Sequence, residues 1–146
     1  MDKVMAVGVF DLLHAGHLHY LEQAKALGSH LVVVVAHDDT VRKRKHEPVT
    51  NHDFRKRMVA GLKPVDEVFI GNPPEIPIFD ILNEIKPDVI ALGYDQEHAE
   101  DHLRNSLKER GFEGMRVTRV EGLYDDLDGT RKIIAKILQR GLKEGE

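Results

Sequence analysis

Cysteine and tryptophan are absent from the 146 residues, aromatic side chains make up only 5% of them, and no apolar run is long. Without cysteine there is no disulfide, no thiolate nucleophile, no iron–sulfur cluster and no zinc site built on sulfur. A membrane helix needs about 20 consecutive apolar residues. The chain passes from Met1-Asp2-Lys3 straight into a strand-like segment and not into a signal peptide, so the expectation is a cytoplasmic protein. Repeats, low-complexity stretches and linkers are also lacking, which predicts one domain over residues 1–146. Positive charge is scarce overall: the net charge is −4, which argues against a chain that coats nucleic acid or an anionic membrane. Between residues 42 and 57, however, seven Lys or Arg stand against Glu47 and Asp53, a local +5 that leaves −9 elsewhere. Such a locus suits either a small, highly charged anion or a solvated face.

What is present is a steady alternation. Segments 3–9, 31–36, 65–70, 89–92 and 116–120 read as strands, with LVVVVA apolar enough to be covered on both faces. Between them fall helical patterns: Leu18, Leu21, Ala24 and Leu27, which Gly28 closes; Phe54, Met58 and Leu62, opened by Thr50 and Asp53 as a capping box; then 78–85, 97–110 and 130–139. Five strands alternating with five helices predict an α/β fold, a doubly wound five-stranded parallel sheet. Ligands of such sheets collect at the carboxyl ends of the strands, so the loops 8–16, 36–48, 71–77, 93–96 and 121–129 are the ones to inspect.

The first of these loops reads GVFDLLHAGH, residues 8–17, and runs directly into a helix. His14 and His17 sit where the helix begins, with Gly16 between them. A helix N-terminus presents backbone N–H groups and the positive end of its dipole, imidazoles add donors, and glycine lets a ligand approach. That is a cradle for a polyphosphate. Two other readings stay open on these residues alone, namely part of a zinc site lacking a third ligand nearby and a plain helix cap. Neither a GxxxxGK[ST] loop nor a GxGxxG turn after the first strand is present.

GVFDLLHAGH resembles the [GT]xFDxxHxGH signature of the cytidylyltransferase-like nucleotidyltransferases. The likeness extends through AHDDTVRKRK (36–45), FRKRMVAGLKPVDEVFIG (54–71) and KPDVIALGYDQ (86–96), and is strongest toward the archaeal FAD synthase branch. The resemblance implies a Rossmann-like, HUP-type fold and transfer of AMP from ATP to FMN, giving FAD and pyrophosphate. The alternatives are a cytidylyltransferase acting on glycerol phosphate or a related phosphorylated alcohol, and a nucleotide-binding sensor without chemistry.

By the same resemblance His14, His17, Lys43 and Thr130 are the catalytic candidates, and Val9, Phe10, His14, Ala15, Gly16, His17, Lys45, Asp95 and Tyr124 the nucleotide-binding ones. No protein side chain is expected to ligate a metal; a divalent cation, most simply Mg²⁺, would arrive on the ATP phosphates. Asp11 either orders the first loop or simply makes a turn. Arg55 stands near a helix start, where its charge opposes the dipole, so it needs either an anionic substrate or an acidic partner residue. Tyr124 either stacks on the nucleotide or packs the loop, and Asp95 either meets ribose or base or makes a turn. The relatives' Ser/Thr-rich motif before the last helix is replaced by LDGTRKII (127–134). ATP and FMN are the expected partners, with neither nucleic acid nor membrane. The family's pairing habit implies a homodimer, with Phe69, Ile76, Ile78 and Phe79 serving as either interface or core.

Overall fold

The computed structural model describes residues 2–44, 46–93, 97–112, 114–122 and 129–141. Along them run β1 (Lys3–Gly8), α1 (Ala15–Lys25), β2 (His30–Val35), α2 (Asp38–Arg44), α3 (His52–Ala60), β3 (Glu67–Ile70), α4 (Ile78–Ile85), β4 (Val89–Leu92), α5 (Glu97–Glu109), β5 (Arg116–Arg119) and α6 (Thr130–Arg140). All pairings are parallel and the strand order is β3-β2-β1-β4-β5. The order reverses between β1 and β4, which makes their carboxyl ends the switch point. Among the described residues no helix is long and apolar enough to cross a membrane.

Strand periodicity divides the core in two. Val4, Ala6, Leu31, Val33 and Val35 pack against Leu21 and Ala24 of α1 and Val59 of α3, while Met5, Val32, Val34, Ile90 and Leu92 meet Ile81, Leu82 and Ile85 of α4 and Leu107 of α5. Each buried Val, Leu, Ile or Met among them contributes roughly 1.5–3 kcal/mol. Phe69 and Phe79 pack on the second cluster, so they belong to the core; Ile76 is exposed.

Four sequence expectations change. The segment 38–44 is a short helix, so six helices flank the sheet among the described residues. In α3 the inward positions are Arg55 and Val59, whereas Phe54 and Met58 are 54% and 48% exposed. Of the apolar stripe read there, Phe54 and Met58 face outward because the buried Arg55 takes an inward position, while Leu62, past the end of the helix, packs on the first cluster. The N-cap of α3 is Asn51, whose side chain accepts from the Phe54 amide, and no Thr50–Asp53 capping box forms. Finally, α1 ends at Lys25 with Ala26 as cap, and Gly28 serves another need. A Cβ on it would lie 2.4 Å from the Asp2 carbonyl, so glycine lets the strand leading into β1 pass close by.

Candidate active site

Between β1 and α1 the backbone doubles back through two left-handed residues, Phe10 at φ 57° and Leu12 at φ 53°. Neither is glycine, and each costs about 1 kcal/mol or more. Burial holds the first in place: Phe10 is only 2% exposed, and its ring lies where a Cβ on Gly8 would come within 2.8 Å. The loop is braced further by Asp11, 4% exposed, which accepts from the Val49 amide at 2.7 Å, the Thr50 amide at 3.0 Å and the Thr50 hydroxyl at 2.6 Å. Burial alone would raise the Asp11 pKa. The Thr50 hydroxyl, the two amides and the nearby Arg55 outweigh it and hold the carboxyl below its ordinary value. Asp11 therefore orders the loop.

At the end of this loop His14 is the N-cap of α1. Its Nδ1 accepts from the amides of Gly16 at 3.0 Å and His17 at 3.3 Å, and His17 Nδ1 accepts in return from the His14 amide at 3.3 Å. This is a capping box made of imidazoles, and the rings stack at 3.7 Å. A ring nitrogen that accepts carries no hydrogen, so each neutral ring is the Nε2–H tautomer. The amides of Gly16 and His17 are thus committed to the cap instead of pointing outward as expected. The helix that the pair caps carries no acidic residue in its first turn, so no side chain there offsets its dipole.

Arg55 ties the neighbouring strand ends together. It is 1% exposed, and its guanidinium donates to the carbonyls of Val9 at 2.8 Å, Ala36 at 2.9 Å and Thr50 at 2.9 Å, and to the Asp38 carboxylate. Burial would raise the Asp38 pKa, but Arg55 and His52 lower it overall. Of the two demands the sequence allowed for Arg55, the acidic partner residue is the one present. Arg42 is likewise engaged, with Asp39 and Glu47, which thins the basic locus.

Sequence reasoning passed over a second imidazole pair. His37 and His52 lie 4.5 Å apart at the start of α2, where His52 Nδ1 accepts from the Asp38 amide at 2.9 Å and His37 Nδ1 from the Asp39 amide at 3.1 Å. The signal lay in the order of residues, a histidine just before an acidic helix start and another at the head of the next helix.

Of the candidates, Val9, Phe10, His14, Ala15, Gly16, His17 and Thr130 gather at the mouth above β1. Thr130 donates its hydroxyl to the Asp11 carbonyl at 2.8 Å, which brings the N-terminus of α6 beside the first loop. The one hydrogen of that hydroxyl is therefore engaged by Asp11, while the helix start stands next to the cradle. Lys43 is exposed on α2. Lys45, Asp95 and Tyr124 lie outside the described residues. The mouth offers imidazole donors and helix starts, a set that matches phosphate oxygens more closely than a metal ion.

A family model described as cytidylyltransferase-like matches residues 5–140. An FAD synthase from Aciduliprofundum boonei is 45% identical over 141 residues, covering 96% of this chain and 93% of its own. Another FAD synthase, from Methanobrevibacter ruminantium, is 47% identical and covers 97% and 95%. Among solved structures, a protein described as a lipopolysaccharide core biosynthesis protein from Thermoplasma volcanium superposes with a TM-score of 0.78 at 41% identity, over 86% of this chain and 99% of that one. Pantothenate synthetase from Thermus thermophilus gives 0.65 at 15% identity, over 86% of this chain and 57% of its own, a likeness of fold alone.

Proposed function

The chain belongs to the cytidylyltransferase-like family, and from that premise we propose that it is an FMN adenylyltransferase, joining the AMP of ATP to FMN to give FAD and pyrophosphate. The observation that carries the reading is its near full-length likeness to FAD synthases. The paired imidazoles at the mouth of α1 supply chemistry suited to it.

An oxygen of the FMN phosphate attacks the α-phosphorus of ATP in line, the new P–O bond forms, and the bond to the β-phosphate oxygen breaks as pyrophosphate leaves. The nucleophile is already an anion, so no base and no covalent intermediate is required, and the absence of cysteine is no obstacle. Catalysis reduces to positioning and to neutralising charge on the phosphates. His14 and His17 do this through Nε2–H groups whose tautomer the helix cap sets in advance. Val9, Phe10, Ala15 and Gly16 supply the loop beside the nucleotide, and Asp11 and Arg55 keep it in shape. The family resemblance assigns Lys43 and Lys45 to the triphosphate and Asp95 and Tyr124 to the nucleoside, and Thr130 holds the start of α6 beside the first loop, where the departing phosphates would lie. The donor set suits the phosphate oxygens themselves; a divalent cation such as Mg²⁺, carried on the triphosphate, would supply further neutralisation of its charge.

The test is incubation with ATP or CTP, Mg²⁺ and, separately, FMN, glycerol phosphate, phosphopantetheine or nicotinamide mononucleotide, following pyrophosphate and FAD. Stoichiometric FAD and pyrophosphate from ATP and FMN are expected. Product from CTP and glycerol phosphate alone, or ATP binding with no turnover on any acceptor, would overturn the reading.

A further inference from the structure

Tyr20 has no part in the scheme above, yet its hydroxyl occupies the switch point. Pairing of β1 with β4 runs through Val4–Val89, Met5–Ile90 and Ala6–Ala91 and stops there, whereas β1 continues beside β2 as far as Gly8–Val35. At the place where β1 and β4 part, the Tyr20 hydroxyl donates to the Ala91 carbonyl at 2.6 Å and accepts from the Val7 amide at 3.3 Å. The Val7 carbonyl lies 3.4 Å away. One hydrogen cannot serve two carbonyls, and the short contact to Ala91 takes it. Burial pushes the phenol pKa up, so it remains a neutral donor. The ring is nearly parallel to Phe10, with centroids 6.3 Å apart, and Phe10 lies 5.4 Å from the His17 ring. A continuous series of contacts thus links the end of β4 to one of the paired imidazoles.

We propose that Tyr20 is a positioning residue for the nucleotide: its hydroxyl sets the spacing of β1 and β4 where they separate, and its ring transmits that spacing through Phe10 to His17. The loop after β1, which leads to His14 and His17, leaves from one of these two strand ends, so the spacing fixes where that loop stands relative to the end of β4. A hydroxyl placed only for stability would leave nucleotide binding untouched when removed. The proposal rests on the reading that a nucleoside triphosphate docks at this mouth.

Tyr20→Phe keeps the ring and removes the bridge. The expected result is a Kd and a KM for Mg–ATP raised about 5- to 10-fold, the worth of one hydrogen bond, with KM for FMN unchanged and the circular dichroism spectrum of the parent. Parental Kd and KM for the triphosphate, whatever happens to Tm, would overturn the proposal. Phe10→Leu supplies the second arm: if the setting passes through Phe10, the two substitutions combine less than additively on the ATP Kd, and strict additivity refutes the relay. Binding is measured with ATP and with CTP on the parent and each variant. Absence of FAD formation by the parent defeats the proposed function alone, because the Tyr20 comparison is then read on whichever triphosphate binds. Binding of neither triphosphate by the parent defeats both.

Discussion

Two helices start at the carboxyl edge of neighbouring strands, each capped by a pair of histidines acting through Nδ1, and the pairs differ in what surrounds them. At α1 the first turn carries no acidic residue. At α2 the first turn holds Asp38 and Asp39, and the carboxylates lie 3.5 Å from His52 and 3.8 Å from His37. The dipole of α2 is therefore answered by its own side chains, and Asp38 is answered in turn by Arg55. On the proposed function the same capping device serves an outside anion at α1 and the helix's own carboxylates at α2; what separates the two is the supply of local negative charge and not the capping geometry.

The largest effect expected from breaking this contrast is at His14. In His14→Asn the amide oxygen still caps α1 but the Nε2–H is gone, so kcat should fall about 10²–10³-fold while thermal unfolding changes little. Normal turnover in that variant would show that the imidazoles only cap. Next comes Arg55→Met, which leaves Asp38 buried without its cation and should cost about 3–5 kcal/mol in urea unfolding. A loss below 1 kcal/mol would mean that the clamp across the strand ends is dispensable.

Acid should act through Asp11. Its folded pKa lies below the ordinary 3.8, so its stabilising contribution is complete above that value and is lost as the pH falls through the folded one. Asp11→Asn should flatten the acid limb of a stability–pH profile, and an unchanged limb would remove Asp11 from the account. The smallest effect is expected at the second pair. His52→Ala should lower stability by about 1 kcal/mol, the worth of a cap, with turnover as in the parent. A collapse of turnover with an unchanged FMN KM would place this pair in the nucleotide site after all.

The strands and α4 were legible because buried parallel strands are β-branched runs and because IFDILNEI keeps one apolar face. α2 was not, since Val41 is the only apolar residue among seven. Orientation failed at α3 for a physical reason: periodicity assigns apolar residues inward, and Arg55 reverses that rule by having three carbonyls and a carboxylate inside to meet it. At the candidate site, HxGH could be found by eye, whereas the left-handed turns at Phe10 and Leu12 leave no trace in residue type. Nor does Tyr20, whose hydroxyl meets Ala91, 71 residues along the chain.

The close passage of Gly28 under Asp2 lies at the amino edge of the sheet, opposite the mouth. The sheet is thus tied at both edges, by this passage at the amino edge and by Arg55 at the carboxyl edge beside the candidate site. Residues 71–77 follow β3 at the carboxyl edge, so an engineer can exchange that loop while the passage of Gly28 under Asp2 is left unedited.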